Sequence, residues 1–232
     1  DDDVLDNIFG LGSSEVFSKI KRIQFVACGT SLHAGKVGRF WFEKIAKIPC
    51  YVDFASEYRY REPLVEEGTL FVTISQSGET ADTLAALRYA QEKDYLSTLS
   101  ICNVPTSSLA RESEHVLFTN AGPEIGVAST KAFTTQLAAL RLLAMSIGKS
   151  VDKETYQVYT SKNSKVTREV TEIDIAVNAV TKGGYSHFME KEIYEQPDAV
   201  ANTINGKLGD DDVLDNIFGL GSSEVFSKIK RI

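Results

Sequence analysis

Short apolar runs alternate with amphipathic stretches over most of the chain. Residues 23–27 (IQFVA), 50–54 (CYVDF), 69–74 (TLFVTI), 96–102 (LSTLSIC) and 115–119 (HVLFT) are short, largely apolar and bounded by polar turns. That pattern predicts five buried strands. Residues 31–47 (SLHAGKVGRFWFEKIAK), 80–93 and about 130–147 carry apolar residues at helical spacing, which predicts helices between and after them. Near-continuous apolar strands separated by helices form a parallel sheet covered on both faces. The expectation is a doubly wound α/β domain over residues 1–149, three layers α/β/α around a roughly five-stranded parallel sheet.

The pattern changes from residue 151. TYQVYT and KVTREVTEI alternate in strand fashion around Lys162-Asn163-Ser164, which predicts a hairpin. HFMEKEIYEQPDAVANTI then predicts a helix, interrupted or ended near Pro197. A hairpin and a helix make too small a core to stand alone, so residues 150–209 are expected to pack on something else or to belong to a larger domain. Residues 1–23 (DDDVLDNIFGLGSSEVFSKIKRI) recur letter for letter at 210–232. Two copies at such a distance are not a repeat fold, and identity without drift suggests a chain joined from overlapping pieces. If residues 13–20 form a helix docked on the first domain, one slot cannot hold both copies. The second then lies elsewhere, is disordered, or docks on a neighbouring molecule as in domain swapping.

Charge and cysteine content narrow the chemistry. With 25 Lys and Arg against 32 Asp and Glu the net charge is −7, which disfavours nucleic-acid binding by phosphate neutralisation. A small anionic substrate remains open, since a pocket can be locally positive on an acidic protein. No uncharged apolar run reaches the ~18 residues of a membrane span, and the acidic opening DDDVLDNIFG lacks the basic start of a signal peptide. Cys28, Cys50 and Cys102 are odd in number and form no CxxC, which argues against a disulfide framework or a zinc site. A reducing, cytoplasmic compartment is expected, with no metal and no cofactor.

In an open parallel sheet ligands bind beyond the carboxyl ends of the strands. Three turns there share one composition: Cys28-Gly29-Thr30-Ser31, Ser75-Gln76-Ser77-Gly78-Glu79-Thr80 and Gly126-Val127-Ala128-Ser129-Thr130. Each leads into a helix, whose N-terminus offers unpaired N–H donors and partial positive charge suited to phosphate. Ser and Thr are also ordinary helix caps, so one such turn alone would mean little; three on one rim point to a ligand site. Neither GxxxxGK[ST] nor GxGxxG occurs, which disfavours a P-loop ATPase and a dinucleotide-binding Rossmann domain.

The stretches ACGTS at 27–31, ISQSGETADT at 74–83, ICNVPTSSLARES at 101–113 and NAGPEIGVASTKAFTTQ at 120–136 closely resemble the glutamine–fructose-6-phosphate aminotransferase family, the glucosamine-6-phosphate synthases. The resemblance covers nearly all of residues 1–149 and is to the first of that family's two sugar isomerase (SIS) domains. TREVTEID and GGYSHFMEKEIYEQP resemble the end of its glutaminase domain and the following linker. In the family that stretch precedes the first SIS domain, so the order here is permuted.

The resemblance implies an enzyme that makes glucosamine 6-phosphate and glutamate from fructose 6-phosphate and glutamine. It implies that Ser75, Gln76, Ser77 and Thr80 bind the phosphate, with Thr30 beside them. Cys28, Gly29 and Ser31 complete the first turn, and Val127 and Ser129 contact the sugar. It also implies a homodimer. The family's N-terminal nucleophilic cysteine, and its glutamate base, ring-opening histidine and Schiff-base lysine, have no match here. The expectation is therefore sugar-phosphate binding, no catalytic residue in this chain and no turnover by it alone.

Other residues carry weaker signals. Cys28 at a helix N-terminus would have a lowered pKa, but none of His33, His115 and His187 is clearly placed to activate it, so a packed turn residue is the better reading. Lys131 is expected to be a helix residue near the phosphate, Glu124 to make a structural hydrogen bond, and Glu79 to support the first turn of its own helix. Phe40, Trp41 and Phe42 are expected in the core or at a subunit contact. The alternatives are a stand-alone SIS isomerase, a sugar-phosphate sensor module, and an FMN protein of flavodoxin type. The first would need a glutamate and a histidine at the pocket. The second would bring a partner domain, and the third an aromatic-flanked flavin loop; neither is seen.

Overall fold

A computed structural model describes residues 7–126, 129–151 and 184–205 of the chain. The expected hairpin, the second copy at 210–232 and Val127 lie outside the described residues. Five strands, β1 Arg22–Ala27, β2 Cys50–Phe54, β3 Thr69–Ser75, β4 Ser97–Cys102 and β5 His115–Phe118, each lie within one residue of the expected bounds. All neighbours pair in parallel, in the order β2-β1-β3-β4-β5. The sheet is preceded by α1 Ser13–Ser18. The other helices are α2 Gly29–Trp41, α3 Ala55–Tyr58, α4 Ala81–Gln91, α5 Ser108–Glu112, α6 Lys131–Val151, α7 Phe188–Tyr194 and α8 Gln196–Ile204.

Strand periodicity builds the layers. Ile23, Phe25 and Ala27 on β1 and Leu70, Val72 and Ile74 on β3 turn to one face, where Phe17, Leu32 and the α6 residues Leu140 and Leu143 cover them. Val26 and Phe71, one position out of phase, turn to the other face and meet Ala55, Tyr58, Leu84, Leu87 and Leu109. Both faces of β1, β3 and β4 are buried, which is why those strands read as apolar runs without clean alternation. The second face also buries polar side chains that satisfy one another: Thr73 and Ser100 hydroxyls lie 2.5 Å apart.

Three departures from expectation have physical causes. The helix after β1 starts at Gly29 and widens into a π-helical turn at Phe42–Ala46, which leaves Phe42, Ile45 and Ala46 all buried. The helices α3 and α5 have four and five residues, too short for a periodicity to register. The expected tail helix is two helices broken at Glu195, with Pro197 in the first turn of α8 where its missing N–H costs nothing. The described part of the tail packs against α6. No helix among the described residues is long and apolar enough to cross a membrane.

Candidate functional site

The sheet order makes β1 and β3 neighbours whose connections leave in opposite directions, one towards β2 and one towards β4. Loops diverge at such a point and open a crevice between them. Register sets them level: Ala27 pairs with Ile74, and Ser75 with Cys102. The 28–31 and 75–80 turns therefore emerge side by side. Two contacts tie the rim together. Thr83, fully buried on α4, donates to Cys28 Sγ at 3.9 Å. Gln136 on α6 donates through Nε2 to Ser31 Oγ at 3.0 Å. The first turn is thus joined to the helices that follow the second and the third.

Donor supply at the first two turns matches an anion. The Leu32 amide is the first in α2 to reach back, to the Cys28 carbonyl at 3.3 Å, and the Leu84 amide does so in α4, to Thr80 at 3.0 Å. The amides just before each have no intrahelical acceptor. The hydroxyls are arranged in the complementary sense. Ser31 Oγ accepts from Gln136, Ser75 Oγ accepts from the Gly78 amide at 3.0 Å, and Ser77 Oγ accepts from the Glu79 amide at 3.2 Å. An accepting hydroxyl keeps its own proton to donate. Thr80 Oγ1 lies 3.4 Å from Ser75 Oγ. Ser31 and Ser75 are buried, Cys28, Gln76, Ser77 and Thr80 half-buried, and Gly29 and Thr30 exposed. The turns contain no lysine or arginine, so an anion here would meet neutral donors and helix ends.

The third turn differs from the first two. The expectation of free amides at its helix start does not hold, because carboxylates already occupy them. Glu124 Oε1 accepts from the Thr130 amide at 2.9 Å and the Ala132 amide at 3.2 Å. It thereby caps α6, a structural role, and Ser129 Oγ donates to its other oxygen at 3.4 Å. The Ile125 and Gly126 amides are taken by Glu192 from α7. The third turn's two described hydroxyls, Ser129 and Thr130, both donate to Glu124.

The remaining candidates fall into place by their partners. Glu79 does not support its own helix; its carboxylate accepts from the Ser108 amide at 2.7 Å and caps α5. That bond holds its carboxyl below the usual range. Lys131 is buried in an ion pair with Glu195 at 2.7 Å rather than free for imine chemistry. His33 is exposed on α2, His115 buried on β5, and His187 stands at the start of α7. Phe42 is core, Trp41 half-buried and Phe40 exposed. A hollow lined by His187, Met189, Glu190, Ile193 and Tyr194 contains none of the turn residues. Among the described residues no three His, Cys, Asp or Glu groups are placed to hold a metal.

Residues not singled out in the sequence complete the rim. Gln136 is a polar residue on the buried stripe of α6, between Ala132 and Ala139, and that mismatch was its one visible signal. Asn103 accepts from the Ala121 amide at 2.7 Å and donates to the Gly122 carbonyl at 2.8 Å, pinning the chain after β5. Glu192 had no signal, since its partners are backbone amides 66 and 67 residues away.

Thiol reactivity follows from the same burial. Desolvation pushes the Cys102 thiol up to about 11 and Cys50 higher still, so both stay protonated near neutrality. Cys28 is half-buried on the rim. A brief pulse of a thiol reagent on the native protein should add one label, at Cys28, and three after unfolding. Mass spectrometry counts them, and fast native labelling of Cys50 or Cys102 would contradict this packing.

Comparison with known proteins agrees with the architecture. The SIS domain family model matches residues 16–146, more than half of the chain. A glutamine–fructose-6-phosphate aminotransferase (isomerizing) of Pseudomonas syringae pv. tomato is 63% identical over 145 residues, covering 62% of this chain and 24% of that protein. One from Vibrio vulnificus is 55% identical over 148 residues, covering 64% and 24%. Among solved structures, the C-terminal domain of glucosamine-fructose-6-phosphate aminotransferase from Francisella tularensis is 56% identical, with a TM-score of 0.59 over 60% of this chain and 39% of that one. A glucosamine-6-phosphate deaminase from Thermotoga maritima is 25% identical with a TM-score of 0.50, covering 64% and 46%. The chain spans about a quarter of the length of the curated relatives it matches. With a five-stranded parallel sheet in the order 2-1-3-4-5, hydroxyl-rich turns at its switch point and a family match across them, this chain belongs to the SIS domain family.

Proposed function

We propose that this chain is the sugar-phosphate-holding part of a glutamine–fructose-6-phosphate aminotransferase. The parent enzyme forms glucosamine 6-phosphate from fructose 6-phosphate and glutamine. The phosphoryl group sits between the 28–31 and 75–80 turns and takes hydrogen bonds from Ser31, Ser75, Ser77 and Thr80. The amides at the starts of α2 and α4 add donors and partial positive charge. Gln76, Gly29, Thr30 and Cys28 belong to the same two turns, and the family resemblance assigns Val127 and Ser129 to the sugar. The observation that carries the reading is the set of hydroxyls at Ser31, Ser75 and Ser77, each accepting from the protein and so left with a proton to give. The high identity to aminotransferases supports the choice of sugar phosphate; a homodimer in the cytoplasm is proposed on the family resemblance alone.

Thermal unfolding with fructose 6-phosphate, glucosamine 6-phosphate and inorganic phosphate tests this. A ligand at about 100 times its Kd stabilises the native state by about 2.7 kcal/mol, a rise of several degrees for a domain this size. Each hydroxyl is worth about 1 kcal/mol, so replacing Ser75, Ser77 and Thr80 together with alanine should weaken binding at least a hundredfold. Circular dichroism should show the fold retained. Absence of any shift with the unaltered protein at millimolar sugar phosphate would overturn the proposal.

A further inference from the structure

We infer that Glu192 on α7 positions the sugar-facing turn and thereby separates recognition of a sugar phosphate from recognition of bare phosphate. The inference rests on the functional reading above. Glu192 is 2% exposed. Its carboxylate accepts from the Ile125 amide at 2.5 Å and from the Gly126 amide at 2.8 and 3.1 Å. A buried carboxylate needs such partners, because leaving it unsolvated and unpaired is costly. Two buried lysines, Lys131 and Lys191, pair with Glu195 at 2.7 and 3.4 Å. The turn's two amides are the donors described to Glu192, and they fix the contact to this stretch of backbone.

The fit is close on both sides. A Cβ on Gly126 would lie 2.4 Å from Glu192 Oε2, so with any other residue there the carboxylate would have to shift from this position. Glu124 grips the far end of the same turn through Thr130 and Ala132. The turn is held at both ends by carboxylates, one its own and one from a distant segment. Ser129 lies between these two grips. The grips consume the amides at 125, 126 and 130, so none of those three is free for a phosphoryl group, and the share of the ligand proposed for this turn is the sugar. Two further bonds seat α7 and α8 against the same region: Thr134 Oγ1 to Gln196 Oε1 at 2.7 Å, and Thr203 Oγ1 to the Thr119 carbonyl at 2.6 Å.

Glu192→Ala and Glu192→Gln in the full chain test the inference by titration with fructose 6-phosphate and with inorganic phosphate. Glu192→Ala should weaken fructose 6-phosphate about tenfold, the loss of roughly one charge-assisted hydrogen bond's worth of positioning. Inorganic phosphate should change less than twofold. Glu192→Gln keeps an acceptor oxygen and should weaken the sugar phosphate about threefold. Amide exchange gives a ligand-free readout: Ile125 and Gly126 should exchange at least tenfold faster in Glu192→Ala, with Thr130 and Ala132 unchanged. Equal loss for both ligands would mark a merely structural role and overturn the inference. So would unchanged exchange at Ile125 and Gly126, even with the binding reading intact. If the unaltered protein binds neither ligand, the functional reading itself fails and the inference falls with it, whatever the exchange rates.

Discussion

Replacing Gly78 with alanine is expected to destabilise the protein by about 3 kcal/mol and to abolish sugar-phosphate binding. Gly78 has φ +67, where a side chain costs about 1–2 kcal/mol. A Cβ there would also lie 2.2 Å from Ser107 Oγ and 2.5 Å from Ser107 Cβ. Ser107 cannot give way easily: it is buried, and its hydroxyl caps α5 by accepting from the Ala110 amide. Overpacking of this kind adds about 1–3 kcal/mol. The backbone of Gly78 is committed on both sides, donating to Ser75 Oγ at 3.0 Å and accepting from the Leu109 amide at 3.1 Å. Any shift that relieves the clash therefore moves Ser75, the centre of the proposed phosphate site. Urea unfolding measures the loss. Adding Ser107→Gly should return the steric part and leave the conformational part, which a double-mutant cycle separates. A loss below about 1 kcal/mol would show that the turn is not constrained in this way.

Glu195→Ala is expected to cost about 3 kcal/mol and to loosen α7 and α8 from α6. It removes the carboxylate that pairs with Lys131, whose side chain is only 4% exposed. A buried ammonium left unpaired costs about 3–5 kcal/mol; the lower end applies because the Glu195 side chain is 30% exposed. Lys191, 8% exposed and 3.4 Å from the same carboxylate, loses a partner too. Removing both charges together, as Lys131→Met with Glu195→Gln, should recover most of the loss, because no unpaired ion then remains at that pair and only the Lys191 contact is missing. Denaturant midpoints at constant slope read both changes. Equal losses for the single and the paired replacement would mean that shape, not charge, holds the tail.

The strands and the two long helices of the sheet domain were legible because burial on two faces writes itself into sequence. A strand covered on both sides must be apolar throughout, and α6 must present an apolar stripe at period 3.6. The first two turns were legible for a related reason. A helix start needs hydroxyls and small residues whether it caps itself or holds a ligand, so Cys28–Ser31 and Ser75–Thr80 stood out by composition. The third turn showed the limit of that signal, since Ser129 and Thr130 looked the same on paper. Whether an amide is free depends on what approaches it, and Glu124 from within the turn and Glu192 from another segment both did. Glu79 was misassigned to its own helix for the same reason, because Ser108 lies 29 residues away and no local pattern points to it.

The amino-acid order alone determined the layer architecture, the parallel sheet and which turns carry donors, since each follows from local periodicity or from chemistry within a few residues. Only the folded chain decided which of those donors remain unspent. Hydrogen bonds such as Gln136 to Ser31 and Glu192 to Gly126 join positions 105 and 66 residues apart, and the geometry that permits them exists only once the sheet has closed its two cores.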